Sequence, residues 1–349
     1  MNVTKVLLEW YGDHKRDLPW RKTRDPYLIW ISEIILQQTR VEQGLEYYLN
    51  FIDKYPDIRS LARASEQEVL KMWQGLGYYS RARNMLSAAR IIFIDYGGIF
   101  PADYNNILKL KGIGQYTASA IASIAFDQPF PVMDGNVKRV ISRLFGIDAP
   151  VSSSKGAKQI NEVLLEMIDQ HNPGDFNQAI MEFGALNCKP KNPLCDTCPL
   201  RRVCQANLYG RVDKLPVMDR KIKQKRRSFH YLVMLSKNKK ELVFMIRKRT
   251  GNDIWKNMYD FPLLETFESY INNSRVELIK TSSVYKHQLT HQLISAKFYI
   301  YYFRSPFTVH PSPEYIAIGP GQLDQYPFPR LIDKFIQQEL MPEIKKMQD

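Results

Sequence analysis

Two carboxylates in this 349-residue chain stand where they could do acid–base work. Glu33 lies inside Ile29-Trp30-Ile31-Ser32-Glu33-Ile34-Ile35-Leu36, a run so apolar that a helix there buries most of its faces. Burial disfavours a charged carboxyl and raises its pKa, so Glu33 can hold a proton near neutral pH. Asp134 lies in Pro131-Val132-Met133-Asp134-Gly135-Asn136-Val137-Lys138-Arg139, where a turn precedes a helix and aspartate is a favoured N-cap. The plainer readings are a paired structural carboxylate for Glu33 and a simple cap for Asp134. As a pair they fit glycoside cleavage, in which a raised-pKa acid protonates the leaving group while a second carboxylate faces the oxocarbenium-like sugar.

The four cysteines form a second constellation, Cys188-x6-Cys195-x2-Cys198-x5-Cys204, with Pro190, Pro193 and Pro199 between them. Such a thiolate set suits tetrahedral zinc or a [4Fe–4S] cluster, and ligand type alone does not separate the two. Four reduced core cysteines fit poorly, because Lys189, Lys191, Asn192 and Asp196 between them are polar. With Arg201 and Arg202 those lysines make the loop basic, which suggests a metal that folds a phosphate-contacting element. A third constellation is Leu110-Lys111-Gly112-Ile113-Gly114-Gln115-Tyr116-Thr117, ahead of the helical run Ala118 to Phe126. Gly112 and Gly114 permit a tight hairpin whose free N–H groups, at a helix N-terminus, can grip a phosphate. An ordinary turn between helices competes with that reading, and the basic surroundings favour the phosphate.

The elements that must position these groups divide by composition. Up to about residue 205 apolar residues recur at helical spacing, as in Val3, Val6, Leu7 and Trp10, and Pro/Gly clusters cut the region into short helices. This predicts an all-α domain over 1–205. The basic stretch 211–227 reads as a linker, set within 206–228. Beyond it, Phe229–Leu235, Leu242–Ile246 and Lys297–Phe303 read as strands and Arg330–Lys346 as a closing helix, giving an α+β domain over 229–349. Net charge is +13 with a pI near 9.4, which points to a polyanionic partner. No apolar run approaches the ~18 residues that span a bilayer, and Glu9 interrupts the start where a signal peptide needs apolar residues. The expectation is a monomer without membrane attachment, cytoplasmic and nucleoid-associated in a bacterium or nuclear in a eukaryote.

Ser32-Glu33-Ile34-Ile35-Leu36-Gln37-Gln38-Thr39, Gly75-Leu76-Gly77-Tyr78-Tyr79-Ser80-Arg81-Ala82-Arg83, the Gly112–Gly114 hairpin, Asp134-Gly135-Asn136-Val137-Lys138-Arg139 and the cysteine spacing together resemble the MutY-type adenine DNA glycosylases of the helix-hairpin-helix superfamily. The match runs in order from about Leu18 to Cys204. The resemblance implies removal of adenine mispaired with 8-oxoguanine or guanine in double-stranded DNA, leaving an abasic site, and a [4Fe–4S] cluster on Cys188, Cys195, Cys198 and Cys204, with zinc as the alternative. It implies that Glu33 protonates the adenine and handles the water, that Asp134 stabilises the sugar cation and that Asn136 supports that centre. Tyr116 falls where bifunctional relatives carry a nucleophilic lysine. A phenol cannot form their Schiff base, so a monofunctional enzyme is expected, with Lys138 as a phosphate contact. Gln38 and Tyr78 match wedge residues that fill the gap left by a flipped base, and Leu18, Trp20, Arg21 and Gln178 match the adenine pocket.

The second domain resembles the Nudix-like C-terminal domain of the same family, which recognises 8-oxoguanine; Gly251–Glu265, with Trp255 and Phe261-Pro262-Leu263-Leu264-Glu265, fits it. No glutamate-rich Nudix box follows, so pyrophosphate hydrolysis is not expected. Leu289-Thr290-His291 stands where the family often has Phe-Ser-His, keeping the hydroxyl and imidazole but not the aromatic ring. A metal-binding pair of His287 and His291 is disfavoured because their flanks read as strands, which separate positions i and i+4. The alternatives are an endonuclease III-like bifunctional glycosylase acting on oxidised pyrimidines, which Tyr116 and the long C-terminal domain oppose, and a non-enzymatic iron–sulfur DNA-binding protein.

Overall fold

Asp25 accepts the Tyr27 backbone N–H at 2.8 Å and Pro26 occupies the first helical position, so the helix Pro26–Leu36 starts with its orphan donors satisfied. Tyr27 and every residue from Ile29 to Ile35 are buried, as the apolar run predicts. The computed structural model describes residues 1–218, 224–238, 241–266, 276–304 and 314–348. Its contacts gather into two units, Met1–Arg63 with Asn84–Lys221, and Ala64–Arg83 with Ile222–Asp349. Among the described residues no helix is long and apolar enough to cross a membrane.

The first unit is helical. Pro26–Leu36 packs against Val41–Lys54 and Gln115–Phe126, while Pro173–Leu186 packs against Val3–His14, Gln115–Phe126 and Gly135–Phe145. Asp103 caps the short helix Tyr104–Lys109, the chain turns through Gly112, and Gly114 is the N-cap of Gln115–Phe126: the expected hairpin. Gly112 has φ +83°, and a Cβ there would stand 2.5 Å from that of Asn84, so both conformation and space require glycine. Gly184 matters for a different reason. A Cβ on it would stand 2.7 Å from that of Asn136, so its lack of one lets Pro173–Leu186 approach the start of Gly135–Phe145.

The second unit is built on a seven-stranded sheet, with strands β1 (Lys225–Asn238), β2 (Glu241–Lys248), β3 (Tyr259–Asp260), β4 (Val276–Thr281), β5 (Tyr285–Gln288), β6 (Gln292–Phe303) and β7 (Tyr315–Ile318). The path runs β3-β2-β1-β6-β4, with β5 pairing β6 and β7 pairing β2; β1 and β6 are parallel and the other pairs antiparallel. Along β6, Ile294, Ala296, Phe298 and Ile300 alternate inward, and Phe298 stacks on Phe335 of the C-terminal helix with ring centroids 3.8 Å apart.

All three strand runs read from the sequence lie inside observed strands. Two readings need correction. The closing helix is not one regular element: Arg330–Phe335 passes through a π turn, Ile336–Leu340, into Met341–Gln348. Pro342 has no N–H to donate back along the helix, and the wider turn precedes it. The basic stretch is also not linker throughout. Lys225–Arg227 already belong to β1, Leu215 is buried in the first unit, and the Leu215 carbonyl accepts from Arg143 Nε at 2.9 Å. Residues 219–223, and 267–275, where a Nudix box following Gly251–Glu265 would fall, lie outside the described residues.

Candidate active site

Glu33 is held by its helix against the first turns of two others, Gln115–Phe126, carrying Tyr116, and Gly135–Phe145, capped by Asp134. Burial pushes its carboxyl from 4.5 up to about 7; the Tyr116 hydroxyl, hydrogen-bonded to it, and Arg21 pull the other way, while Asp134 adds to the rise. The Tyr116 phenol is itself raised well above its ordinary value, by burial first and then by the two carboxylates. It remains a neutral donor, and its oxygen also lies 3.4 Å from Met181 Sδ.

Asp134 is the N-cap the sequence predicts: Oδ1 accepts from Val137 N at 2.7 Å and Oδ2 from Asn136 Nδ2 at 2.9 Å. Burial raises its pKa above the usual aspartate value, and those two hydrogen bonds oppose the rise. Asn136 is fixed in turn by Arg139, whose Nη2 donates to Asn136 Oδ1 at 2.8 Å and to the Gly184 carbonyl at 2.7 Å. Arg139 Nε reaches the Cys188 carbonyl at 2.8 Å, so one guanidinium ties the support of Asp134 to the start of the cysteine loop.

Glu33, Tyr116, Asp134 and Asn136 border one cavity of about 710 Å³ in the first unit, which Leu18, Trp20, Arg21, Gln178 and Gln38 also line. Trp20 packs edge-on to Tyr48, and Gln178 accepts from the Tyr11 hydroxyl at 3.1 Å. The volume lies within the ~300–1,000 Å³ of small-molecule sites. An apolar wall of Leu18 and Trp20 with a few polar groups suits a flat heterocycle. Gln38 is exposed at φ +56°, just past the Glu33 helix. Lys138 is half-buried on Gly135–Phe145, and it and the Gly112–Gly114 hairpin lie outside the cavity lining.

Sequence reasoning missed Glu182. It is 1% exposed and accepts from Arg16 N, Nε and Nη2 and from both terminal nitrogens of Arg21, at 2.6–3.0 Å. Burial would raise its pKa, but the two guanidiniums outweigh burial and hold it down at about 2. The signal was present: Ala179-Ile180-Met181-Glu182-Phe183 sets a lone carboxylate in an apolar helix, as the Glu33 segment does.

The four cysteines are unpaired and half-buried, and all line one small cavity with Val140, Leu144 and Phe183. Burial raises the thiols of Cys195, Cys198 and Cys204; Asn187 donates to Cys198, and Arg143 Nη1 lies 3.5 Å from Cys188 Sγ. Among the described residues no three His, Cys, Asp or Glu converge on a single-ion position. The all-thiol set around a shared cavity fits a group large enough to touch several of its walls.

In the second unit Tyr78 is exposed at φ +48° between the positive-φ Gly75 and Gly77 and the start of a helix, and its hydroxyl meets Thr290 Oγ1 at 2.6 Å. Leu289, Thr290 and His291 form the β5–β6 turn, closed by Leu289 N donating to Gln292 O at 2.8 Å; Leu289 is half-buried and the other two exposed.

Residues 31–170 match the profile of the HhH-GPD superfamily base excision DNA repair proteins, and residues 230–338 match that of the NUDIX domain. An adenine DNA glycosylase of Buchnera aphidicola subsp. Schizaphis graminum is 39% identical over 265 residues, covering 75% of each chain. The human adenine DNA glycosylase is 44% identical over 209 residues, 57% of this chain and 38% of its own. Among solved structures, a thermostable thymine-DNA glycosylase superposes with a TM-score of 0.55 at 31% identity, over 59% of this chain and 95% of that one. Endonuclease III in a non-covalent DNA complex superposes at 0.52 and 22% identity, over 59% of this chain and 94% of that one, which speaks to the fold alone.

Proposed function

The chain belongs to the adenine DNA glycosylase family, enzymes that hydrolyse N-glycosidic bonds in DNA, and from that premise we propose that it removes adenine mispaired with 8-oxoguanine or guanine from duplex DNA, without cutting the strand. The observation that carries the proposal is Glu33: a buried carboxyl raised to about 7, in a cavity shared with Asp134 and an apolar slot for a flat base.

Glu33 donates its proton to a ring nitrogen of the flipped adenine. The bond from the sugar C1′ to adenine N9 breaks, its electron pair leaves with the base, and positive charge develops on the sugar. Asp134, aimed by Asn136 and the Val137 N–H, stabilises that charge as a carboxylate. Water then adds to C1′ and gives up a proton to the Glu33 carboxylate, which restores the acid. Tyr116 keeps its hydroxyl on Glu33 and offers no amine, so no Schiff base forms and the backbone stays whole. Leu18, Trp20, Arg21 and Gln178 hold the adenine. Gln38 and Tyr78 fill the space it leaves, and Gly112, Gly114 and Lys138 grip phosphates.

Cys188, Cys195, Cys198 and Cys204 would hold a [4Fe–4S] cluster, whose contribution when bound would be to fix the fold of a basic, phosphate-facing loop. The second unit reads the base opposite the adenine through Leu289, Thr290 and His291. The protein acts as a monomer, located with the DNA in a bacterial nucleoid or a nucleus.

One incubation with an adenine:8-oxoguanine duplex tests this. Strand breaks that appear only after alkali support a monofunctional glycosylase. Breaks without alkali overturn that part, and no adenine release overturns the whole. Visible absorption of a brown protein supports iron–sulfur, and a colourless zinc protein overturns it.

A further inference from the structure

A ring that takes the place of a flipped base works best when it already stands in one orientation, because otherwise the cost of ordering it falls on binding. Tyr78 is 41% exposed at φ +48°, just after Gly75 at +101° and Gly77 at +74° and just before the helix that begins at Ser80. Such a backbone conformation persists in a ring-bearing residue only where the surroundings impose it. The Tyr78 hydroxyl meets Thr290 Oγ1 at 2.6 Å, which fixes the far end of the ring. The ring can still turn about the line from Cβ to that hydroxyl without breaking the bond, so its plane needs a separate support.

Arg81, in the first turn of that helix, is placed to give it. Its guanidinium carbon lies 5.7 Å from the centroid of the Tyr78 ring and 5.2 Å from that of Trp73, so one planar cation meets two aromatic groups. Trp73 is fully buried and gives the guanidinium a fixed floor. Burial lowers the Arg81 pKa to about 10, which leaves it charged at neutral pH. Arg81 Nη2 also donates to the Gly77 carbonyl at 3.3 Å, but the Trp73 indole N–H already reaches that oxygen at 3.1 Å. The turn therefore has another donor, and what Arg81 adds beyond it is the contact with the Tyr78 ring.

We propose that Arg81 is a positioning residue for base extrusion: its guanidinium, seated on Trp73, sets the plane in which the Tyr78 ring enters the duplex. The inference rests on the reading of Tyr78 as the wedge and goes beyond it by naming what holds the wedge. Arg81 acts through Tyr78 and touches neither the target base nor the reacting atoms. A lysine would keep the charge but has no plane to lay on two rings.

The full chain is tested on an adenine:8-oxoguanine duplex carrying 2-aminopurine beside the target adenine, whose fluorescence rises when its neighbour leaves the stack. Arg81→Lys and Arg81→Met are each expected to slow that rise about tenfold, with melting temperature and affinity for a fully paired duplex near those of the parent. On a Tyr78→Ala background, which lacks the ring, Arg81→Met adds no further loss. Losses that multiply overturn the proposal, as do Arg81 variants that extrude like the parent while Tyr78→Ala does not. Where Arg81→Met does not fold, Arg81→Lys carries the same cycle. Tyr78→Ala that extrudes like the parent overturns the wedge reading and this proposal with it. Adenine release, measured in parallel, reads the glycosidic proposal separately.

Discussion

Arg21 grips Glu182 through both terminal nitrogens, Nη1 to Oε1 at 2.9 Å and Nη2 to Oε2 at 2.8 Å. Glu33 borders the same cavity and has no such clamp. Two glutamates of one pocket therefore part company, one held near 2 and the other raised to about 7. Such divergence separates a fixed charge from a proton donor, and the guanidiniums decide which carboxyl is which.

Glu33→Gln is expected to reduce single-turnover adenine release about 10²- to 10⁴-fold while duplex affinity survives. In the parent protein the donor is protonated below about pH 7, so release falls as pH rises through that value. Asp134, raised above the ordinary 3.8, must stay ionised, so release also falls in acid. A flat profile from about pH 6 to 9 would sink the acid role of Glu33.

The same carboxyl weakens the fold in alkali. Its folded pKa, about 7, exceeds its ordinary 4.5, so the native state holds this proton more tightly than the unfolded chain does. The resulting contribution is complete below pH 4.5 and is lost as pH rises through about 7. Glu33→Gln cannot ionise. Its stability relative to the parent should grow across that window, by up to about 3 kcal/mol in denaturant unfolding. An advantage equal at both ends of the window would contradict the shift.

Glu182→Ala leaves the Arg16 and Arg21 guanidiniums without their common anion. The expected loss is about 3 kcal/mol of stability together with a raised KM, because Arg21 lines the cavity proposed to take the base. Unchanged unfolding and unchanged KM would show that the clamp does neither job.

Arg139→Met strips donors from Asn136 Oδ1, Gly184 O and Cys188 O together. A loss of about 2 kcal/mol or more is expected, with slower adenine release as Asn136 loosens beside Asp134. Thermal unfolding and single-turnover rates measured on one preparation test both effects.

Gly112→Ala forces a side chain into φ +83° and against Asn84. Expected are a loss of about 1–3 kcal/mol and weaker duplex binding from a distorted hairpin, read by thermal unfolding and salt-dependent titration. A variant as stable as its parent would show that the turn tolerates a Cβ.

The sequence by itself determined what local chemistry encodes. The apolar run around Glu33, the cap geometry of Asp134, the glycine hairpin, the alternating strands and the cysteine spacing are each legible within about twenty residues, because helix and strand periods and turn preferences act over that range. Tertiary structure decided the rest. Glu182 looked like Glu33 in sequence, and only packing brought Arg16 and Arg21, 161 or more residues away, onto one of the two. Packing also grouped Ala64–Arg83 with the sheet unit and set Tyr78 beside Thr290. A pKa depends on charges a few ångströms away through space, whatever their separation along the chain, so which carboxyl carries the proton is settled only when the chain has folded.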